Sequence, residues 1–382
     1  MNVKISKKAT LIIDTLRNAG FEAFAVGGAV RDNLMGREAD DFDITTSAKP
    51  EETKKVFSSF AVLETGIKHG TVTVLIDHTP FEVTTYRTEC GYSDSRHPDS
   101  VRFVSDITED LARRDFTMNA IAYSHRDGLV DPFFGYDDIK RKIIRSVGDA
   151  NQRFTEDALR ILRALRFSSV LGFDIEENTK NAIFSLAENL KFVSSERIYA
   201  EMKKLIVGDN AQSVIDEYLS VFKTILPISG DHRSVSKLPK DYALRFYCLF
   251  GDSYKEALRI LRADNKVKMI CNVIASSKPI PNDETDLKLY ISDLGFENVK
   301  TVITYRKAIF NEDAEDISSS IFNNGSPLFL SDLAINGSDL VSIGIKGMNV
   351  GEILKMLLIS VIRNEVDNSK EALLKAAKSI QK

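Results

Sequence analysis

The chain has 382 residues, 43% hydrophobic and 28% charged, which excludes a disordered protein and supplies core for two or three structural units. Its 51 basic and 55 acidic residues leave a net charge of −4, so a polyanionic partner must be held by local basic surfaces rather than overall charge. Three well-separated cysteines (Cys90, Cys248, Cys271) exclude a disulfide framework and a CxxC metal site, and favour a reducing cytoplasm.

No apolar run approaches the roughly 18–20 residues of a membrane span. The lysine-bearing start is followed by an apolar stretch that Asp14 and Arg17 interrupt, against a signal peptide. Helices are predicted over Lys7–Ala19 and Pro50–Phe57, the second by its Thr45–Thr46–Ser47 cap region and leading proline. Strands are predicted over Phe21–Val26, Phe42–Thr46, Thr71–Ile76, Phe81–Tyr86 and Val101–Val104. From about residue 139 apolar residues recur at three- and four-residue spacing through Glu156–Val170, Asn178–Leu190, Glu196–Val207 and Ala211–Leu226, which predicts helices. Breaks at Pro227–Lys240, Ser277–Glu284 and Asn323–Pro327 are candidate joints. The expected architecture is α+β, a head with a small mixed sheet followed by all-helical modules.

Four motifs carry chemistry. Gly27-Gly28-Ala29-Val30-Arg31-Asp32 follows a strand and opens a helix, so the backbone can approach a phosphate and Arg31 can fork onto it; a plain tight turn needs the same glycines. In Asp41-Phe42-Asp43 on a strand, both carboxylates share a face and suit a hard cation such as Mg²⁺. Asp40 beside them keeps a solvated acidic turn open as the alternative. One helix can join the turn to this pair and bring phosphate and metal sites together. Glu82, in the alternating strand Phe81–Tyr86, either completes the metal shell or faces solvent.

In Arg113–Ala120, helical spacing sets Asp115 and Asn119 on one face, suited to a ribose, with Arg114 for phosphate. In Glu156–Arg166, arginines recur every three residues beside a Leu159/Leu162/Leu165 stripe. Ile139–Phe173 holds eight basic residues against three acidic, a local net of +5. A salt-bridged surface helix, with Asp157 and Arg160 as an i,i+3 pair, is the competing reading.

Together and in this order the motifs resemble the bacterial class II tRNA nucleotidyltransferases, the CCA-adding family of the polymerase-β-like nucleotidyltransferase superfamily. The resemblance extends through Asp131-Pro132-Phe133-Phe134-Gly135, Asp138–Arg145, Ser194–Ile198 and the C-terminal Asp332–Gly347. It implies a nucleotidyltransferase head at 1–138, a neck at 139–205 with the nucleotide-reading helix, a body at 206–276 and a tRNA-binding tail at 277–382. It further implies addition of C, C and A to the 3′ end of tRNA from CTP and ATP, without a nucleic-acid template, in the cytoplasm and with no obligate protein partner. An A-adding-only enzyme and a bacterial poly(A) polymerase are the related alternatives.

By the same resemblance Asp41 and Asp43, with Glu82 as a third candidate, would hold Mg²⁺. Gly28, Arg31 and Arg114 would meet phosphates, Asp115 and Asn119 the sugar, and Arg163 and Arg166 further nucleotide or helix-anchoring contacts. Asp157 and Arg160 would read the base. Asp157 only accepts and Arg160 only donates, which suits the amino group and adjacent acceptor of cytosine and adenine. Uracil O4 or guanine O6 would oppose the carboxylate, and an unpaired desolvated acceptor costs about 1–3 kcal/mol, roughly ten- to hundredfold in selectivity. Arg87–Asp99 is polar and glycine-bearing, which predicts a mobile loop; its full length argues against a CC-only enzyme. Tyr199 stands where the family pattern predicts a basic residue, and the five widely spaced histidines, with no HD-type motif, argue against an appended phosphohydrolase.

Overall fold

A computed structural model describes residues 3–39, 41–64, 66–90, 100–347 and 349–380. Helix α1 (Lys7–Asn18) starts at Ser6, whose hydroxyl accepts from the Ala9 amide, and buries Ala9, Ile12, Ile13 and Leu16 on one stripe. Strand β1 (Ala23–Val26), buried throughout, leads into α2 (Gly28–Leu34), β2 (Asp43–Thr46) and α3 (Pro50–Val56). Then come β3 (Ala61–Leu63), β4 (Thr71–Ile76), β5 (Thr79–Thr85) and the pair β6 (Arg87–Cys90) and β7 (Ser100–Phe103). After α4 (Ile107–Ala112) the short strands β8 (Ala122–Ser124) and β9 (Gly128–Val130) complete the head.

Seven of these strands form one mixed sheet, in the order β3-β4-β5-β2-β1-β8-β9. β1 runs antiparallel to both its neighbours, whereas β2 and β5 are parallel, with Ile44 beside Val83. The α+β architecture is therefore as the sequence predicts. Over one sheet face, Phe24 and Val26 pack with Tyr86, Ile107, Leu111 and Ala120 into a core that seats α4 and the segment after it. Each large apolar side chain so buried contributes about 1.5–3 kcal/mol.

The helical part opens with α5 (Gly135–Arg141), the two-residue strands β10 (Ile143–Ile144) and β11 (Asp174–Ile175), and between them α6 (Ala150–Glu156) and α7 (Leu159–Leu171). α8 (Glu177–Ser185), α9 (Ser195–Ile206), α10 (Ala211–Glu217), α11 (Leu219–Lys223), α12 (Tyr242–Phe250) and α13 (Tyr254–Ile260) follow. The chain divides into two compact units. One comprises Met1–Ile228 with Glu256–Arg262, the other Ser229–Lys255 with Ala263–Lys382. The second contains a core around Leu287, Ile291 and Val299 and another around Leu340, Leu357 and Leu373. Among the described residues no helix is long and apolar enough to cross a membrane.

Several boundaries differ from the periodicity. The strand predicted from Phe42 begins at Asp43, because Phe42 serves as a buried anchor ahead of the ladder. The Asn178–Leu190 helix ends at Ser185 and continues as a 3₁₀ segment, and Ala211–Leu226 is two helices joined at the buried Tyr218. Arg87–Cys90 is a strand paired with Ser100–Phe103 rather than loop. The rest of the predicted loop, 91–99, lies outside the described residues, as does Asp40.

Candidate active site

The glycine turn sits where β1 hands over to α2. Gly27 adopts φ +75°, a conformation that only glycine takes without strain. A Cβ there would lie 3.4 Å from Arg114 Nη1 and 3.8 Å from Asp43 Oδ2, so bare backbone faces both side chains. Arg31, buried, donates from Nη1 to Asn119 Oδ1 at 2.8 Å and from Nε and Nη2 to Asp32 Oδ1 at 2.9 and 2.8 Å.

Asp43 opens β2 directly beside Val26, the last residue of β1. Because Ile44 neighbours Val83 on the parallel strand, Asp43 and Glu82 neighbour each other on the opposite, exposed face. Loss of solvation in the cleft raises the Asp43 pKa above the ordinary carboxyl value; the Arg114 cation opposes this, and the charges of Glu82 and Asp41 add to it. Three carboxylates thus act on one another with one guanidinium against them. That is an arrangement a hard cation relieves.

Asp41 and Asp43 line a cavity of about 580 Å³; Glu82 does not. Among the described residues no three His, Cys, Asp or Glu side chains group closely enough to hold a metal on protein ligands alone. The donor set still fits Mg²⁺, which commonly binds through one or two carboxylates and takes its remaining ligands from water and substrate phosphates.

The Arg113–Ala120 segment is not one helix. Ala112 ends α4, and Thr117–Asn119 forms a separate 3₁₀ turn whose backbone is held by the Arg145 carbonyl. Asp115 and Asn119 nonetheless meet, Asn119 Nδ2 donating to Asp115 Oδ1 at 3.0 Å. Asp115 Oδ1 also accepts from the Phe116 amide, and Oδ2 accepts from Arg163 Nε and Nη2 at 2.8 and 2.6 Å. All four acceptor positions of this buried carboxylate are filled. Burial alone would push its pKa up; Arg163, Asn119 and the Phe116 amide pull it down to about 2.

Glu156–Arg166 is likewise broken. α6 ends at Glu156, Asp157 is extended, and α7 begins at Leu159, so Asp157 and Arg160 do not form the i,i+3 pair that an unbroken helix predicts. Asp157 Oδ1 instead caps the Leu159 amide, and Oδ2 accepts from Arg197 Nη2 at 2.7 Å. Arg160 is buried, its Nη1 on Glu156 Oε2 and the Arg153 carbonyl, its Nη2 on the Arg113 carbonyl. Neither Asp157 nor Arg160 lines the cavity, whereas Gly28, Arg31, Arg114, Asp115, Asn119, Arg163 and Arg166 do. Arg166 forms an ion pair with Glu201 at 2.9 Å.

Sequence reasoning missed several participants. Asp110, fully buried, accepts from Arg113 Nε, Arg114 Nη2, the Arg87 amide and the Thr45 hydroxyl, and so ties Arg114 to the β6 strand. The Phe167 ring lies under the guanidiniums of Arg31, Arg163 and Arg166 at 5.0, 5.6 and 4.0 Å. Lys204 completes the cavity wall. A signal existed for Glu201: an acid on the apolar face of α9, between Ile198, Met202 and Leu205.

Residues 23–145 match the Poly A polymerase head domain family, 172–227 the RNA and SrmB-binding site of polymerase A, and 241–377 the tRNA nucleotidyltransferase domain 2 family. The chain is 35% identical to a CCA-adding enzyme of Lactobacillus delbrueckii subsp. bulgaricus, over 97% of this chain and 98% of the relative. To a CCA-adding enzyme of Ligilactobacillus salivarius it is 38% identical, over 98% and 96%. A crystal structure of the Bacillus stearothermophilus CCA-adding enzyme in complex with CTP superposes with a TM-score of 0.83 at 32% identity, covering 98% of this chain and 97% of that one.

Proposed function

The chain belongs to the CCA-adding enzyme family of nucleotidyltransferases, and we propose that it adds C, C and A in turn to the 3′ end of tRNA, using CTP and ATP and releasing pyrophosphate. The tRNA 3′ oxygen forms a bond to the nucleotide α-phosphorus, its proton departs, and the α-to-β phosphoanhydride bond breaks. The observation that carries this reading is the meeting of Asp41, Asp43, Arg114 and the Gly27–Gly28 turn at one cavity.

Asp41 and Asp43 would hold the divalent ion, Mg²⁺ in our reading, which would neutralise the triphosphate and lower the pKa of the attacking hydroxyl. Glu82 adds negative charge beside Asp43. Gly28 lets the backbone approach the phosphates, and Arg31 and Arg114 offer them donors. Asn119, with one amide hydrogen uncommitted, is better placed for a sugar hydroxyl than Asp115, which holds Arg163. Arg163 and Arg166 bring further positive charge to the cavity. Asp157 and Arg160 read the base, Arg160 exchanging its carbonyl partners for the nucleotide's acceptors.

The four-part division at 138, 205 and 276 is our functional reading of the chain, with tRNA gripped through backbone and shape by the helical parts. The substrate and the free Cys248 and Cys271 support a cytoplasmic setting. The test is incorporation into a tRNA lacking its 3′ end. CTP alone should add two residues, and CTP with ATP three. No extension with CTP would favour an A-adding enzyme, and long tails from ATP alone a poly(A) polymerase.

A further inference from the structure

The cations lining the cavity differ in how their charge is already used. Arg31 is paired with Asp32 at 2.8 Å, Arg114 with Asp110 at 3.4 Å, Arg163 with Asp115 at 2.6 Å and Arg166 with Glu201 at 2.9 Å. Each guanidinium therefore already faces a carboxylate, Asp110 being shared with Arg113, and three of them pack on the Phe167 ring. Lys204 is the exception. It lines the same cavity from the last turn of α9, is exposed, and its side chain makes no hydrogen bond or ion pair with any described residue. Among the described residues it is the lining cation without a counter-charge, and a flexible ammonium reaches a phosphate as a point charge.

We propose that Lys204 is a phosphate-binding residue of this site, engaging either the triphosphate of the incoming nucleotide or a phosphodiester at the tRNA 3′ end. The assignment rests on the functional reading above but concerns binding, so it is tested apart from transfer. Its exposure is what makes the test clean: replacing Lys204 removes no side-chain hydrogen bond or ion pair among the described residues.

Equilibrium dissociation constants are measured separately for CTP with Mg²⁺ and for a tRNA lacking its 3′ CCA, using the unaltered protein, Lys204→Ala and Lys204→Arg. A charge-assisted contact of ordinary strength predicts a roughly tenfold or larger rise in one constant for Lys204→Ala, largely restored in Lys204→Arg. A rise confined to CTP identifies the triphosphate, and one confined to tRNA the phosphodiester. Constants unchanged within about twofold for both ligands would overturn the proposal, as would equal losses in the alanine and arginine variants, since those would show that charge is not the cause.

Discussion

Asp157 is held by Arg197, whose Nη2 donates to Asp157 Oδ2 at 2.7 Å, while Arg160, three residues along the chain, is anchored to the Arg113 carbonyl. The two residues assigned to read the base are thus oriented by separate elements. Arg197 on α9 fixes the acceptor, whereas the turn after α4 holds the donor until a base takes the place of the Arg113 carbonyl. A carboxylate with a fixed orientation discriminates because it cannot turn away from an opposing oxygen. Arg197→Ala should therefore raise UTP incorporation relative to CTP by about tenfold, with tRNA affinity nearly unchanged. Competition primer extension measures it, and Arg160→Ala should relax base choice in the same assay.

Asp43 predicts opposite effects on activity and stability. Its folded-state pKa lies above the ordinary 3.8, chiefly through lost solvation. The folded state therefore holds this proton more tightly than the unfolded chain. Its contribution is favourable below the unfolded pKa and is lost as pH rises through the folded value, so at neutral pH the ionised group is a liability. Asp43→Asn should abolish transfer, leave tRNA binding intact and raise the melting temperature in EDTA at pH 7. That gain should vanish on acidification below the ordinary carboxyl pKa.

Asp115 behaves the other way. With its folded pKa near 2, its stabilisation is present above the unfolded 3.8 and is lost as pH falls from there towards 2. Removing its partner leaves a buried charge uncompensated, so Arg163→Ala should cost about 3 kcal/mol in denaturant unfolding, the low end for a buried pair because Arg163 is partly exposed. Adding Asp115→Asn should recover part of that loss, a non-additivity that a double-mutant cycle reads directly.

Gly27→Ala strains a left-handed backbone position and sets a methyl group against Arg114 Nη1 and Asp43 Oδ2. The strain costs about 1–3 kcal/mol. The larger effect should be on kinetics, a fall of roughly tenfold or more in kcat/KM for CTP as the strained turn moves out of register with the phosphates. Circular dichroism should remain that of the parent.

Much of this was legible from residues alone. The Gly27–Gly28 turn announces itself because it needs a conformation only glycine tolerates, and the Asp41/Asp43 pair because two acids flanking an apolar residue are costly without a cation. Helical breaks were not legible. The predicted Glu156–Val170 helix starts at Leu159 instead, because Asp157 turns extended to cap the Leu159 amide and meet Arg197, a partner forty residues on that apolar periodicity does not register. Asp110 was invisible for a related reason. It lies in a short helix, and although Arg113 and Arg114 stand three and four residues on, the partners that bury it, Thr45 and Arg87, are distant in sequence. The short strands β8 and β9 carry too few residues for alternation to register.

The most direct test of the scheme is a crystal structure of the protein with CTP and Mg²⁺. The account predicts the cytosine amino group on Asp157, its ring acceptors on Arg160 released from the Arg113 carbonyl, and the triphosphate between Asp41/Asp43 and the Gly28–Arg31 turn. A base turned away from α7 with Arg160 still on its carbonyl, or phosphates remote from β2, would contradict it.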